Sequence, residues 1–134
     1  MVKNKIISKL SELIKEFTDS QDDVQGQIVI SFPIGVPIAN TWKGKINPIL
    51  IGALSAAVKL TFQNLCLRLN KGNLRRLSMS SEYGRAIIQN AGDNAILTTI
   101  IEGEADLLRV AFGITNLSLK IKDLLKNYNF TGEV

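Results

Sequence analysis

Asn47 to Leu69 reads NPILIGALSAAVKLTFQNLCLRL, the longest apolar-rich stretch in a chain of 134 residues. Pro48 falls in the first helical turn, where a missing N–H costs nothing, and Asn47 before it is a plausible cap. Ala, Leu and Lys dominate the interior and favour helix. At ~100° per residue the apolar side chains fall into two stripes. Ile51, Leu54, Val58, Phe62, Leu65 and Leu69 form one; Ile49, Ala53, Ala56, Leu60 and Leu67 form the other, nearly opposite. Ser55, Lys59 and Gln63 separate them on one side, and Thr61, Asn64 and Arg68 on the other. A helix that serves one core needs one stripe. Two stripes predict that one packs on the chain's own sheet and the other on a second body. A helix sunk in the middle of a single core would show the same pattern, but a chain this short has little with which to cover both sides.

The composition, 46% hydrophobic and 21% charged, is that of an ordinary soluble globular protein. The length suits one domain over residues 1–134, with an ordered core from about residue 3 to 126. The apolar runs are expected to be too short to span a bilayer, with Lys59 interrupting the best of them. The N-terminal MVKNKIISKLSEL lacks the unbroken apolar core of a signal peptide, so the expected location is cytoplasmic. Cys66 is the only cysteine and there is no histidine. That removes an intrachain disulfide, a cysteine zinc cluster and the commonest general base. Neither a G-x-x-x-x-G-K-[ST] loop nor G-x-G-x-x-G occurs, and no metal cluster or cofactor is expected. Cys66 has no histidine to activate it and reads as an inert thiol. The chain is therefore expected to work through its surface, not as an enzyme.

Net charge is +4, unevenly spread. No Asp or Glu occurs from Val24 through Ser81, a span that holds Lys43, Lys45, Lys59, Arg68, Lys71, Arg75 and Arg76. Such asymmetry either gives one face a potential that attracts an anionic partner or is simply a solvated surface.

Before the central helix, residues 3–17 place Ile6, Ile7, Leu10, Leu13, Ile14 and Phe17 at helical spacing. Residues 18–26 are polar and turn-rich; the Asp22-Asp23 pair there reads as solvated loop. Residues 27–32 (QIVISF) are a β-branched strand that Pro33 ends, Gly35 turns the chain, and residues 36–41 form a second strand. Trp42 is either an exposed contact or, the favoured reading, a lid over the core. After the helix, strands are expected over 73–80, 85–90 and 95–101, the last being the most apolar and central. Asp106 caps a last helix whose stripe is Leu107, Val110, Ala111, Ile114, Leu117, Ile121, Leu124 and Leu125. Gly113 within it costs ~1 kcal/mol of helix stability and suggests a close contact. Glu102, Glu104 and Asp106 read as charges favourable to that helix's N-terminus rather than as a catalytic pair. The tail from Asn127 is expected to fray. The order α-β-β-α-β-β-β-α predicts an α/β (α+β) fold: a five-stranded antiparallel sheet inside a three-layer α/β/α sandwich.

That order resembles the roadblock/LC7 family. The matching pieces are Gly35-Val36-Pro37-Ile38-Ala39, the alanine-rich helix from Gly52 to Leu60, and Gly84-Arg85-Ala86-Ile87-Ile88 with Gly92-Asp93-Asn94-Ala95-Ile96-Leu97. Phe32-Pro33-Ile34 and the apolar Leu107-Leu108-Arg109 depart from the common pattern. The resemblance implies a homodimer, or a heterodimer with a paralogous roadblock protein, in which central helices lie antiparallel and third strands join two sheets. Ile49, Ala53, Ala56, Leu60 and Leu67 would face the partner, since small residues allow close approach, with Leu74, Arg76 and Ser78 on the joining strand. Leu60→Asp should then give a monomer or insoluble protein.

The resemblance also implies binding of a Ras-like small GTPase by a non-catalytic regulator or scaffold that could stimulate hydrolysis. Lys43, Lys45, Ser55, Lys59 and Gln63 are the expected contact face, on the acid-free span. The alternative is an adaptor of dynein light-chain type that clamps a segment of a larger complex. Nucleic-acid binding is the least supported, with aromatic residues at 6% and few arginines.

Overall fold

Apolar alternation builds the sheet and helical spacing covers it. The computed structural model describes residues 2–103, 106–128 and 130. Its elements are α1 (Val2–Ser20), β1 (Val24–Ser31), β2 (Pro37–Asn40), α2 (Pro48–Arg68), β3 (Arg76–Ser81), β4 (Gly84–Asn90), β5 (Ala95–Glu102) and α3 (Leu107–Leu124), which ends in a 3₁₀ turn over Leu125–Asn127. The strands form one five-stranded antiparallel sheet in the order β2-β1-β5-β4-β3. The most apolar strand, β5, is central, as its sequence predicts: Ala95 to Thr99 are all buried.

The first loop is shorter than expected. Thr18 Oγ1 donates to the Ile14 carbonyl and Ser20 Oγ to that of Phe17, which carries α1 three residues past Phe17. β1 starts at Val24, not Gln27, because Val24 is buried and pairs with Ile101. Glu104 and part of the tail, residue 129 and residues 131–134, lie outside the described residues.

α1 and α3 cover one face of the sheet. Leu10 and Ile14 from α1 and Val110, Ile114, Leu117 and Ile121 from α3 meet Val29, Ile87, Leu97 and Ile101 in a continuous core. Gly113 permits the close approach expected of it: a Cβ there would lie 2.8 Å from Cε2 of Phe17. α2 alone lies on the opposite face, over a smaller core of Ile28, Ile30, Ile88 and Ile96, with Phe32, Trp42, Ile51, Val58 and Leu77 packed around it. Trp42 is the lid: its ring sits on that core and its Nε1 donates to the Ile46 carbonyl at 3.0 Å. Both helix caps form, Asn47 Oδ1 accepting from Ile49 N at 2.9 Å and Asp106 Oδ1 from Arg109 N at 3.3 Å.

Candidate interaction surface

α2 sits on the sheet by its polar seam, the reverse of what its sequence suggests. Gly52, Ser55, Ala56 and Lys59 are its buried residues. Thr98 Oγ1, from the central strand, donates to Ser55 Oγ at 3.0 Å. Lys59 lies beneath the helix with Nζ 3.9 Å from the centre of the Phe32 ring and donates to Gln63 Oε1 at 2.7 Å. Burial pushes the Lys59 ammonium below its ordinary range. Ser55 and Lys59 therefore cannot be the solvent-facing contact expected of them, and Gln63 is half-buried beside them. Polar residues read as outward-facing only until the sheet beneath supplies a hydroxyl and an aromatic face.

The small residues are also spent within the chain. A Cβ on Gly35, which has φ +88°, would lie 3.2 Å from Cβ of Ala56 and 3.3 Å from Cα of Ala53. A Cβ on Gly52 would lie 2.5 Å from the Gly35 carbonyl oxygen. The close approach predicted for a partner helix is made instead with the β1–β2 turn. Ala56 is buried there, whereas Ile49, Ala53, Leu60 and Leu67 flank it in solvent.

The bulkier stripe, expected to pack on the sheet, does so only in part. Ile51 and Val58 alone are half-buried against it, on the side away from the Gly35 turn, in the cluster that also holds Ile88 of β4 and Leu77 of β3. Leu54 and Leu65 continue that side outward at 56% and 48% exposure, with Phe62 and Leu69 exposed as well. α2 leans over β1 and β2, so the β3–β4 half of this face lacks a covering helix among the described residues. Leu77, Ala86 and Ile100 there are half-buried and Met79 is exposed. Among the described residues β3 pairs only with β4, and its outer edge is free.

The remaining expected residues fall in different places. Arg76 and Ser78 are exposed on β3, and Leu74 precedes the strand, its carbonyl accepting from Asn90 Nδ2 at 2.8 Å. Arg76 is held by Gln89 Oε1 at 2.7 Å and Thr115 Oγ1 at 2.6 Å. Lys43 and Lys45 are exposed, but Lys43 lines a polar cleft with Thr18, Asp19, Asp22 and Gln25 at the end of α1, apart from the α2 seam. In that cleft the hydrogen bond and charge of Lys15 hold the Asp19 carboxyl below its usual range, with Lys43 adding to the effect. Among the described residues no three or more of His, Cys, Asp and Glu stand together as a metal site.

The expectation about apolar length also needs correction. α2 spans 21 residues with a mean hydropathy of 1.5 in its most apolar window, long and apolar enough by composition to cross a membrane. In the fold it lies on the sheet, tied there through Ser55 and Lys59.

This architecture recurs in solved structures. A roadblock/LC7 domain from Streptomyces avermitilis superposes with TM-score 0.79 over 86% of this chain and 96% of its own, at 14% identity. The fold is that of the roadblock/LC7 domain. Myxococcus xanthus MglB shares it with TM-score 0.81 at 13% identity, covering 87% of this chain and 94% of its own. The gliding protein MglB of Thermus thermophilus shares it with TM-score 0.78 at 18% identity, covering 89% and 90%. No family model and no curated protein matches the chain. Similarity to the roadblock/LC7 structures thus lies in the backbone path, with 13% to 18% of residues identical.

Proposed function

We propose that two copies of this chain pair through the open half of the sheet, and that the pair is a non-catalytic cytoplasmic regulator or scaffold for a Ras-like small GTPase. The observation that carries the reading is the apolar flank Leu54, Phe62, Leu65 and Leu69 standing beside an uncovered half-sheet and a free β3 edge. Antiparallel α2 helices would close both half-sheets at once, and β3 against β3 would join two sheets into one. Burying a leucine of this kind stabilises the pair by roughly 1.5–3 kcal/mol. The two Arg76 side chains near the axis would be tolerable because Gln89 and Thr115 already hold each guanidinium.

The other flank, Ile49, Ala53, Leu60 and Leu67, stays in solvent in such a pair and takes the place of the buried Ser55–Lys59–Gln63 seam as the GTPase contact. Leu65→Asp should give a folded monomer in sedimentation. Leu60→Asp should leave the pair intact and lose the GTPase. Titration with the cell's small GTPases in both nucleotide states checks the second step; absence of binding in either state overturns it. Nucleotide-independent capture of a helix or strand from a larger complex on the same flank would favour the light-chain alternative.

A further inference from the structure

α3 presents to solvent a line of apolar side chains that neither the core nor the proposed pairing uses. Leu108, Phe112 and Leu119 are 86%, 71% and 59% exposed, on the side away from buried Val110, Ile114, Leu117 and Ile121. Thr115 completes the line, so Leu108, Phe112, Thr115 and Leu119 follow one another at steps of four, three and four. That is the seam of a heptad, one side chain wide and ~16 Å long at the rise of an α-helix. α3 cannot turn the seam inward, because Gly113 is locked against Phe17 on one flank and Thr115 is bonded to Arg76 on the other.

The width of the seam selects its occupant. A bilayer or a flat protein face calls for a broad apolar arc, whereas polar side chains flank this line at once. Arg109, Asn116 and Lys120 lie on the α1 side; Lys122 lies against Gly92 of the β4–β5 turn. Lys120 and Lys122 bracket Leu119, and neither has a hydrogen-bond or ion-pair partner among the described residues. Of the acids nearby, Asp123 pairs with Lys126 at 3.1 Å, Asp106 caps its own helix, Glu12 and Glu16 share a hollow with Lys120 between α1 and α3, and Asp93 shares a cleft with Lys122 at the β4–β5 turn; among the described residues none of them forms an ion pair with either lysine. A second copy of α3 would bring the same unpaired lysines to the seam.

We propose that this crest of α3 docks a single amphipathic helix from another protein, apolar at its a and d positions and acidic beside them. Charge complementarity along Lys120 and Lys122 then selects the partner, and Phe112 is the central anchor.

The probe is a synthetic peptide of ~21 residues with Leu at a and d and Glu at e and g, whose own repulsion keeps it single. Its twin carries Lys at e and g. Titrating the 134-residue protein against each labelled peptide by fluorescence anisotropy should give saturable binding of the acidic peptide and at least about tenfold weaker binding of the twin. Phe112→Ser and Lys122→Glu should each weaken the acidic peptide by about tenfold with unchanged thermal melts, and amide exchange should show protection along α3. Equal affinity for both peptides overturns the proposal. So does binding that Phe112→Ser leaves intact while Leu60→Ser removes it. In a Leu65→Asp background, self-association that Phe112→Ser abolishes would make the occupant a second copy. Retention on phosphatidylserine vesicles that the same substitution abolishes would make it a membrane. Either result would overturn the reading.

Discussion

The two faces of the sheet are built from the same strands and finished differently. Under α1 and α3 the strands bury a core that both helices close, with Leu10, Ile14, Ile114 and Ile121 wholly shielded from water. Under α2 only Ile28, Ile30, Ile88 and Ile96 are fully covered, and the helix leaves most of its apolar residues in water. The closed face holds the fold together. The open face carries apolar surface beyond what a monomer needs, and such surface is where partners bind. The difference is one of coverage, since strand pairing is continuous across both.

The contrast can be broken by equivalent truncations. Ile114→Ala on the closed face removes a fully buried side chain and should cost about 2–5 kcal/mol in urea denaturation. Leu65→Ala on the open face removes one that is 48% exposed, and in dilute monomer should stay within about 0.5 kcal/mol. Equal losses would mean that the open face supports the monomer after all.

Two glycines sharpen the comparison at smaller scale. Gly52→Ala puts a methyl against the Gly35 carbonyl oxygen, a backbone atom that cannot swing aside. The expected outcome is a loss of about 1–3 kcal/mol, larger than the ~1 kcal/mol that alanine returns to the helix. Gly113→Ala meets the far edge of the Phe17 ring, which can move, so overpacking and helix propensity should nearly cancel. Melting both variants together decides the matter. A tolerated Gly52→Ala would free α2 from the turn and return its small residues to a partner's use.

Most of the fold was legible because strands and helices announce themselves by period. The β-branched run of β1, the apolar β5 and the single stripe of α3 each have one consistent reading. The seat of α2 was not legible. Its two stripes are visible, but which side meets the sheet depends on what the sheet offers, and Thr98 and Phe32 are far away in sequence. Small residues announced close approach without naming the neighbour, which proved to be Gly35. On α3 the buried stripe was plain. The exposed one was present in Leu108, Phe112 and Leu119, and its heptad step was the signal that could have found it.

The least effect is expected at Lys59, where the open face seats a charge beneath an apolar helix. Its folded pKa lies below the ordinary 10.5, with burial as the cause. Below the folded pKa both folded and unfolded chains carry the proton, and the cost of burying the charge is fully present. Between the folded pKa and 10.5 the unfolded chain binds more protons, so stability rises with pH across that window. Lys59→Met removes the charge, keeps the reach of the side chain over Phe32, and should flatten that rise. Urea midpoints for both proteins from neutral pH upward isolate the effect, because every other lysine and tyrosine contributes equally to the two curves. At neutral pH the variant loses the contact with the Phe32 ring and the bond to Gln63 but escapes desolvation, so the two proteins should lie within about 1 kcal/mol. Curves that stay parallel through the whole range would show that water reaches Lys59 and that α2 rests on the sheet more loosely than its contacts with Thr98 and Phe32 require.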